Sequence, residues 1–305
     1  MSGSKITSAQ LTVWIITALI GPLAFFSDGN WMFTLLAAVL LSLLNWLAVR
    51  FGKHWEGPIY AFVQMLWISV LLSQILTFSA DCWPTGQRTY PVIPIAMLVL
   101  AILTAIKGEK SAANSVSVLF WVSALLLGIV ILFGISNVIT SNLKPEIQMS
   151  NSQILLVLAL PAVTGMLNKE RSTILPFVVV AAVAVCISLW ISGTLSQQIA
   201  EQLQWPFYSA AKSVQILDVA KRFEALVSVG VTIGNYALYS MMLCAAGSIG
   251  QPFGEKKRVI AVTGIVAGVL MLAGLRVHPT TSVIICLILW VLFPLFGLIS
   301  RKEKE

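Results

Sequence analysis

The chain has 305 residues, of which 58% are hydrophobic and only 10% are charged, and its formal net charge is +7. Soluble domains carry about 25% charged residues, so this composition excludes an ordinary water-soluble protein and indicates one that lies in membrane lipid. The Lys and Arg residues are spread over short loops, which argues against the concentrated basic patch of a nucleic-acid-binding protein. We therefore expect membrane lipid, and no nucleic acid, as a partner.

Ten apolar runs follow one another along the chain and predict a single all-α integral membrane domain over residues 1–305. The runs are uniform rather than alternating, and backbone groups inside a bilayer must be hydrogen-bonded internally, so helices are favoured over a barrel. The predicted transmembrane helices cover residues 9–26, 31–49, 58–79, 91–107, 114–135, 152–166, 174–195, 225–249, 259–275 and 282–299.

Loop charge predicts the orientation of these helices. If the chain crosses the membrane ten times, 13 of its 19 Lys and Arg residues fall on one side and the other six on the opposite side. Cytoplasmic loops are enriched in Lys and Arg. We therefore expect the side with 13, which also holds both termini, to be cytoplasmic.

Ten helices also divide into two halves of five, about residues 9–138 and 152–299. An odd number of helices per half gives the two halves opposite topologies, which is the requirement for an inverted repeat. In such repeats the binding site forms near the midplane, where discontinuous helices face each other.

Residues that interrupt helices occur at matching places in the two halves. They are Gly21 and Pro22 in the first helix, and Pro161 and Gly165 in the sixth. A proline removes one helical hydrogen bond, and a nearby glycine tolerates the rearranged backbone. We predict that the first and sixth helices are broken and line a ligand site, and the alternative is that these residues produce only packing kinks.

Polar residues inside the apolar runs are further candidates for ligand binding. Asn235 and Tyr236 lie in the middle of the eighth run, and Thr17 and Thr164 lie beside the two predicted breaks. The alternative is that these side chains only hydrogen-bond neighbouring helices. Other polar residues within the runs are Gln64, Ser69, Ser73, Gln74, Thr232 and Tyr239.

The sequence contains no recognisable catalytic or metal-binding pattern. Its four cysteines include no CxxC pair, and His54 and His278 have no second ligand at metal-binding spacing. We find no nucleophile elbow, phosphate-binding loop or pair of catalytic carboxylates. We therefore expect a protein that is not an enzyme and that uses neither a metal nor another cofactor.

The longest polar interruption is the segment 205–224, which carries apolar residues at helical spacing beside charged ones. It predicts an amphipathic helix that lies in the membrane interface on the non-cytoplasmic side. We interpret Arg222 and Glu224, at its end, as residues that contact a partner or couple the bundle to it. The alternative is a solvated entry into the eighth helix, with Asp218–Arg222 and Lys221–Glu224 as weak surface pairs.

The same segment resembles the signature of the endospore germination permeases, the B subunits of nutrient germinant receptors. That signature is an aromatic residue and Pro, a polar amphipathic stretch, and then Arg-x-Glu-Ala before a long apolar helix. The matching residues are Trp205, Pro206, Arg222, Glu224, Ala225 and Leu226, with further similarity at residues 5–11, 28–29 and 31 and weaker similarity at 90–91 and 142–145.

The resemblance implies a helix bundle like that of the amino acid/polyamine/organocation transporters. It also implies a place in the spore inner membrane beside an A-type and a C-type receptor subunit. The implied task is to bind a small nutrient, often an amino acid, and to signal germination. Two alternatives remain, a secondary amino-acid transporter and a ligand-free scaffold for the receptor subunits. The scaffold is suggested by a first helix with fewer glycines than the family pattern, which would leave a smaller cavity.

Overall fold

The computed structural model describes residues 6–26, 30–32, 34–36, 39–40, 43, 57–81, 92–143, 175–203, 206–213 and 223–293. Every regular element in these ranges is helical. In chain order the α-helices are α1 (Ser8–Phe26), α2 (Pro58–Asp81), α3 (Val92–Ile106), α4 (Glu109–Gly134), α5 (Leu175–Leu195), α6 (Gln197–Gln202), α7 (Pro206–Ser213), α8 (Phe223–Ile249), α9 (Lys256–Leu272) and α10 (Pro279–Leu287). A π-helical turn, Ile288–Leu292, continues α10.

Over the described residues these helices confirm the prediction of an all-α protein with helices that can span a membrane. Four stretches in this part of the chain are long and apolar enough to cross a membrane: Pro58–Thr77, Glu109–Asn137, Val178–Leu195 and Ala225–Ile249. The predicted sixth helix, residues 152–166, lies outside the described residues. The count of ten helices and their arrangement as a 5+5 repeat therefore stay predictions.

The central helix of the described bundle is α8. Its apolar stretch is 83% buried, because α1, α2, α3, α4 and α9 all pack against it. Fully buried small residues such as Ala237 and Ala245 allow neighbouring helices to approach closely. Polar side chains in the middle of α8 are consequently held inside protein rather than in lipid.

The surface of α4 contrasts with that of α8. Only 22% of its apolar stretch is buried, and large apolar side chains at helical spacing, Val118, Trp121, Leu125 and Leu132, are exposed. An exposed apolar face of this length would be unfavourable in water and suits contact with lipid tails.

If successive predicted helices cross the membrane in opposite directions, the first, fifth and ninth of them begin at the same end of the bundle. Two contacts between helix ends agree with this. Gln10 Nε2 donates to Asn114 Oδ1 at 2.7 Å, which brings together the beginnings of α1 and α4. Lys256, at the start of α9, forms an ion pair with Glu109, at the start of α4. Helices α1, α4 and α9 therefore begin at the same end of the bundle, and the membrane side of that end stays a prediction.

The predicted break in the first helix is wrong, because α1 continues as an α-helix from Ser8 to Phe26, through Gly21 and Pro22. A proline removes only one backbone hydrogen bond. A membrane helix tolerates that loss when neighbouring groups satisfy the freed carbonyl, so a Gly-Pro pair does not by itself unwind it. The matching residues of the sixth helix, Pro161, Thr164 and Gly165, lie outside the described residues.

Candidate functional site

The polar residues in the middle of α8 form the core of the candidate site. Asn235 is 4% exposed, Tyr236 is 5% exposed, and Tyr239 is completely buried. Asn235 Nδ2 donates to the Ser79 hydroxyl of α2 at 2.8 Å. A polar contact between two buried side chains therefore joins the centre of α8 to the last turns of α2.

Ser79 is the meeting point of this group. Its hydroxyl donates to the Ile75 carbonyl at 2.9 Å and is hydrogen-bonded to the Tyr239 hydroxyl. With the bond from Asn235, the Ser79 oxygen is fully used. We name Ser79, Asn235, Tyr239 and the Ile75 carbonyl the Ser79 cluster.

Asn235 keeps unused hydrogen-bonding capacity. Its amide can make up to four hydrogen bonds, and the bond to Ser79 is the one that it forms with the described residues. The amide oxygen is an acceptor, and the second amide hydrogen is a donor. The Ser79 cluster can therefore bind a polar molecule at Asn235 without first breaking its internal bonds.

Tyr236 connects α8 to a different neighbour. Its hydroxyl donates to Thr104 Oγ1 of α3 at 3.1 Å, and Thr104 Oγ1 in turn bonds the Leu100 and Ala101 carbonyls, each at 3.0 Å. Successive residues of a helix point about 100° apart, so Asn235 and Tyr236 reach α2 and α3 respectively.

Helix α1 also reaches the middle of α8, although not through the residue that the sequence indicated. Trp14 Nε1 donates to the Ala237 carbonyl at 3.0 Å. Thr17 is fully buried, but its hydroxyl donates to the Val13 carbonyl at 2.7 Å, within its own helix. Thr17 therefore contributes no hydrogen bond to the Ser79 cluster, and the prediction that it lies beside a helix break fails with the break itself.

Ser79, Thr104 and Trp14 were not selected from the sequence. The available signal was weak, because Ser79 is the last residue of a predicted apolar run and Thr104 is a single hydroxyl residue in a run whose other polar side chain is the terminal Lys107. Their partners on α8 are between 132 and 223 residues away in the chain. Only the packing of the helices identifies them.

The chemistry of the site is that of neutral hydrogen bonding. The buried polar side chains in the described ranges are Ser, Thr, Asn and Gln, joined by Tyr236 and Tyr239. In the same ranges no group of three His, Cys, Asp or Glu residues lies close enough to hold a metal ion. Hydroxyl and amide groups of this kind can orient a bound molecule.

Charged groups meet at one end of the bundle, away from the Ser79 cluster. Glu109 and Lys256 form an ion pair with side chains 35% and 33% exposed. The Ser248 hydroxyl, near the end of α8, donates to Glu109 Oε1 at 3.3 Å and accepts from Lys256 Nζ at 3.2 Å. This group links the ends of α4, α8 and α9.

The segment 205–224 is described in part. Helix α7 covers residues 206–213 and buries Phe207, Ala210 and Ala211 while Lys212 is exposed. Arg222 lies outside the described residues, and Glu224 lies in the first turn of α8. The interpretation of Arg222 and Glu224 as a partner contact stays a prediction.

No protein-family model matches the chain, and no curated protein matches it.

Proposed function

We propose that this protein binds a small polar molecule inside its membrane-embedded helix bundle, at the Ser79 cluster. The supporting observation is the buried Asn235 amide, which joins α8 to α2 and keeps donor and acceptor capacity unused. The amide oxygen can accept a hydrogen bond from a ligand, and the second amide hydrogen can donate one.

Within this proposal the protein is the B-type subunit of a germinant receptor in the spore inner membrane. The support is the resemblance of residues 205–226 and of the amino-terminal residues to the germination permeases. The ligand is then a small nutrient such as an amino acid, and A-type and C-type subunits are the partners. Binding is read out as a germination signal rather than as net uptake.

The test is ligand binding to the full chain purified in detergent. A panel of amino acids is screened by thermal shift, and any hit is titrated against the Asn235→Ala variant and against Asn114→Ala, an exposed asparagine near the start of α4. Loss of one or two hydrogen bonds should weaken binding by about tenfold or more in Asn235→Ala and leave Asn114→Ala unchanged. Equal binding by both variants would reject the site.

A ligand-free scaffold is the second candidate, and the unbroken α1 favours it. In a continuous helix the backbone carbonyls of Gly21 and Pro22 point along the helix axis rather than toward a ligand, and Pro22 has no N–H to offer one. Co-purification with A-type and C-type subunits separates the two candidates. A scaffold keeps both subunits and the germination response in the Asn235→Ala variant, whereas a receptor keeps the subunits and loses the response.

A further inference from the structure

Helices α3 and α9 lie side by side at the surface of the described bundle. A Cβ at Gly264 of α9 would lie 2.5 Å from Ile102 Cδ1 of α3. One turn later, a Cβ at Gly268 would lie 3.5 Å from Leu98 Cδ2. Later residues of α9 therefore meet earlier residues of α3, so the two helices are antiparallel. The end of α3 lies beside the start of α9, in agreement with the ion pair between the first turns of α4 and α9.

Each of these two helices exposes an apolar stripe. The exposed residues recur at intervals of three or four, so on each helix they share one face. Both helices pack against α8, which is buried, so the two stripes face outward on the same side of the bundle. The stripes consist of Val92, Ala96, Val99 and Leu103 on α3, and of Val262, Ile265, Val269 and Leu272 on α9.

Both stripes end in basic residues, and they do so at the same end of the bundle. Lys107 comes four residues after Leu103, and its backbone N–H donates to the Leu103 carbonyl at 3.4 Å, so it continues the helical turn. On α9, Arg258 comes four residues before Val262, and Lys257 precedes it. All three basic side chains are exposed. An outward apolar surface is therefore bordered by positive charge at one end.

The positive charge at this end is not balanced by the acidic residues beside it. Residues 107–110 and 255–258 hold five basic and two acidic side chains, which leaves an excess of three positive charges. Both acidic side chains are already in ion pairs, which are Glu109–Lys256 and Glu255–Arg258, the latter at 3.8 Å. Lys107 and Lys257 form no ion pair with any residue that the structure describes. Their ammonium groups are therefore available to an anion.

We propose that Lys107, Lys257 and the two apolar stripes form a binding site for an anionic phospholipid, such as phosphatidylglycerol. The lipid phosphate contacts the two ammonium groups, and the acyl chains lie along the stripes of α3 and α9. Basic groups of neighbouring transmembrane helices bind anionic lipid head groups at the membrane surface in this way. This site is independent of the proposed ligand site at the Ser79 cluster.

The length of the stripes favours a lipid over a soluble phosphate compound. From Val92 to Leu103, and from Val262 to Leu272, the helices rise by about 15 Å. That length is half of the hydrocarbon core, which is about 30 Å thick, so it matches the depth of the acyl chains in one leaflet. A soluble phosphate would use the lysines and leave the adjoining apolar surface uncovered.

The lipid site and the Ser79 cluster lie near opposite ends of α2. The Phe62 ring, near the start of α2, packs edge to face against Phe253, just before α9, with 6.1 Å between centroids. Helix α2 therefore begins at the end of the bundle that holds Lys107 and Lys257. Ser79 is in the last turn of the same helix. A substitution of either lysine should consequently leave the Ser79 cluster intact.

Native mass spectrometry of the full chain, purified without lipid in a non-ionic detergent, tests the proposal. The probe is dioleoyl-phosphatidylglycerol, and dioleoyl-phosphatidylcholine has the same acyl chains without net charge. We expect tighter binding of phosphatidylglycerol. Its dissociation constant should rise about fivefold in Lys107→Gln and in Lys257→Gln, and about 25-fold in the double variant, because each basic residue near the surface contributes about that factor.

Two control variants accompany these measurements. Lys212→Gln removes one exposed charge from α7, which packs against α1, α4, α5 and α8, and it should bind phosphatidylglycerol as the unchanged protein does. The double variant Lys107→Arg with Lys257→Arg keeps both charges and should also keep binding. Since both lysines are exposed, their substitution should not prevent folding.

Four outcomes would overturn the lipid site. They are equal affinity for the two lipids, unchanged affinity in the double glutamine variant, an equal loss in Lys212→Gln, and full displacement of the lipid by glycerol 3-phosphate. The third would mean that only the total charge of the protein matters, and the fourth that a soluble phosphate is the ligand. The amino-acid panel tests the Ser79 cluster separately, so failure of one proposal leaves the other standing.

Discussion

The Ser79→Ala variant removes the hydroxyl on which the candidate site depends. Ser79 accepts from Asn235 Nδ2, shares a hydrogen bond with Tyr239 and donates to the Ile75 carbonyl. Alanine removes one hydroxyl group and leaves the helix backbone unchanged, since it has the highest helix propensity. Any loss of stability is therefore attributable to the hydrogen bonds.

The expected loss of stability depends on the hydrogen bonds that each partner of Ser79 can still form. The Asn235 amide, 4% exposed, is left with an unpaired N–H, and an unsatisfied buried donor costs about 1–3 kcal/mol. Tyr239 can still donate to the Ile75 carbonyl, which lies 3.5 Å from its hydroxyl in the unchanged protein. Tyr239 therefore adds little to the loss of stability. Interhelical hydrogen bonds in membrane proteins average about 0.6 and reach about 1.7 kcal/mol. We expect Ser79→Ala to lower the free energy of unfolding by about 1–2 kcal/mol.

Reversible unfolding of the full chain in mixed micelles measures this change. Ser136→Ala is the matched control, because Ser136 is exposed and its hydroxyl bonds a carbonyl of its own helix end, that of Phe133, at 3.0 Å. The double variant Ser79→Ala with Asn235→Leu should lose less than the sum of the single losses, since removing both partners leaves no unpaired group. A Ser79→Ala loss within about 0.3 kcal/mol of the control, together with additive losses, would refute the reasoning.

Two further predictions concern packing and charge. Gly134→Ala places a Cβ 2.7 Å from Trp190 Cε2 and should lower the free energy of unfolding by about 1–3 kcal/mol. Gly128→Ala, with open space around it, should be neutral or stabilising by up to about 1 kcal/mol. The reverse order of the two unfolding midpoints would contradict the packing. Glu109→Gln should cost about 0.2–1 kcal/mol, because the ion pair with Lys256 is about one-third exposed. That cost should shrink as the salt concentration rises, and a cost independent of salt would mean that the pair contributes nothing by charge.

Helix positions could be predicted from the sequence because they depend on local hydrophobic length. The third predicted run, 58–79, is the helix Pro58–Asp81, and the eighth, 225–249, is the helix Phe223–Ile249. A run of about 20 apolar residues spans the bilayer core whatever its neighbours are. Predicting such positions does not depend on which helices pack against each other.

The site could be predicted only in part, because half of it depends on packing. Asn235 and Tyr236 were recognisable as amide and phenol groups in the middle of an apolar run. Their partners Ser79 and Thr104 depend on the rotation of α2 and α3 against α8, which hydrophobic periodicity does not encode. Helices that are apolar on nearly every side give no indication of which side faces the bundle.

The Gly21–Pro22 prediction was wrong for a related reason. The pair weakens a helix locally, but a helix unwinds only where other groups bind the released backbone. Helix α1 is instead fixed at Trp14, whose indole N–H bonds the Ala237 carbonyl of the central helix. The local sequence therefore showed residues that can interrupt a helix, but it could not show whether neighbouring groups stabilise an interruption there.

Polar contacts hold α2 near both of its ends. It carries Ser79, bonded to Asn235 near one end, and Tyr60, bonded to the Leu289 carbonyl of the π-turn near the other. Helix α3 is tied to α8 separately, through Thr104 and Tyr236. A ligand bound at Asn235 would add hydrogen bonds to this junction without breaking the Asn235–Ser79 bond. We therefore expect binding to stabilise the contact between α2 and α8 rather than to displace α2.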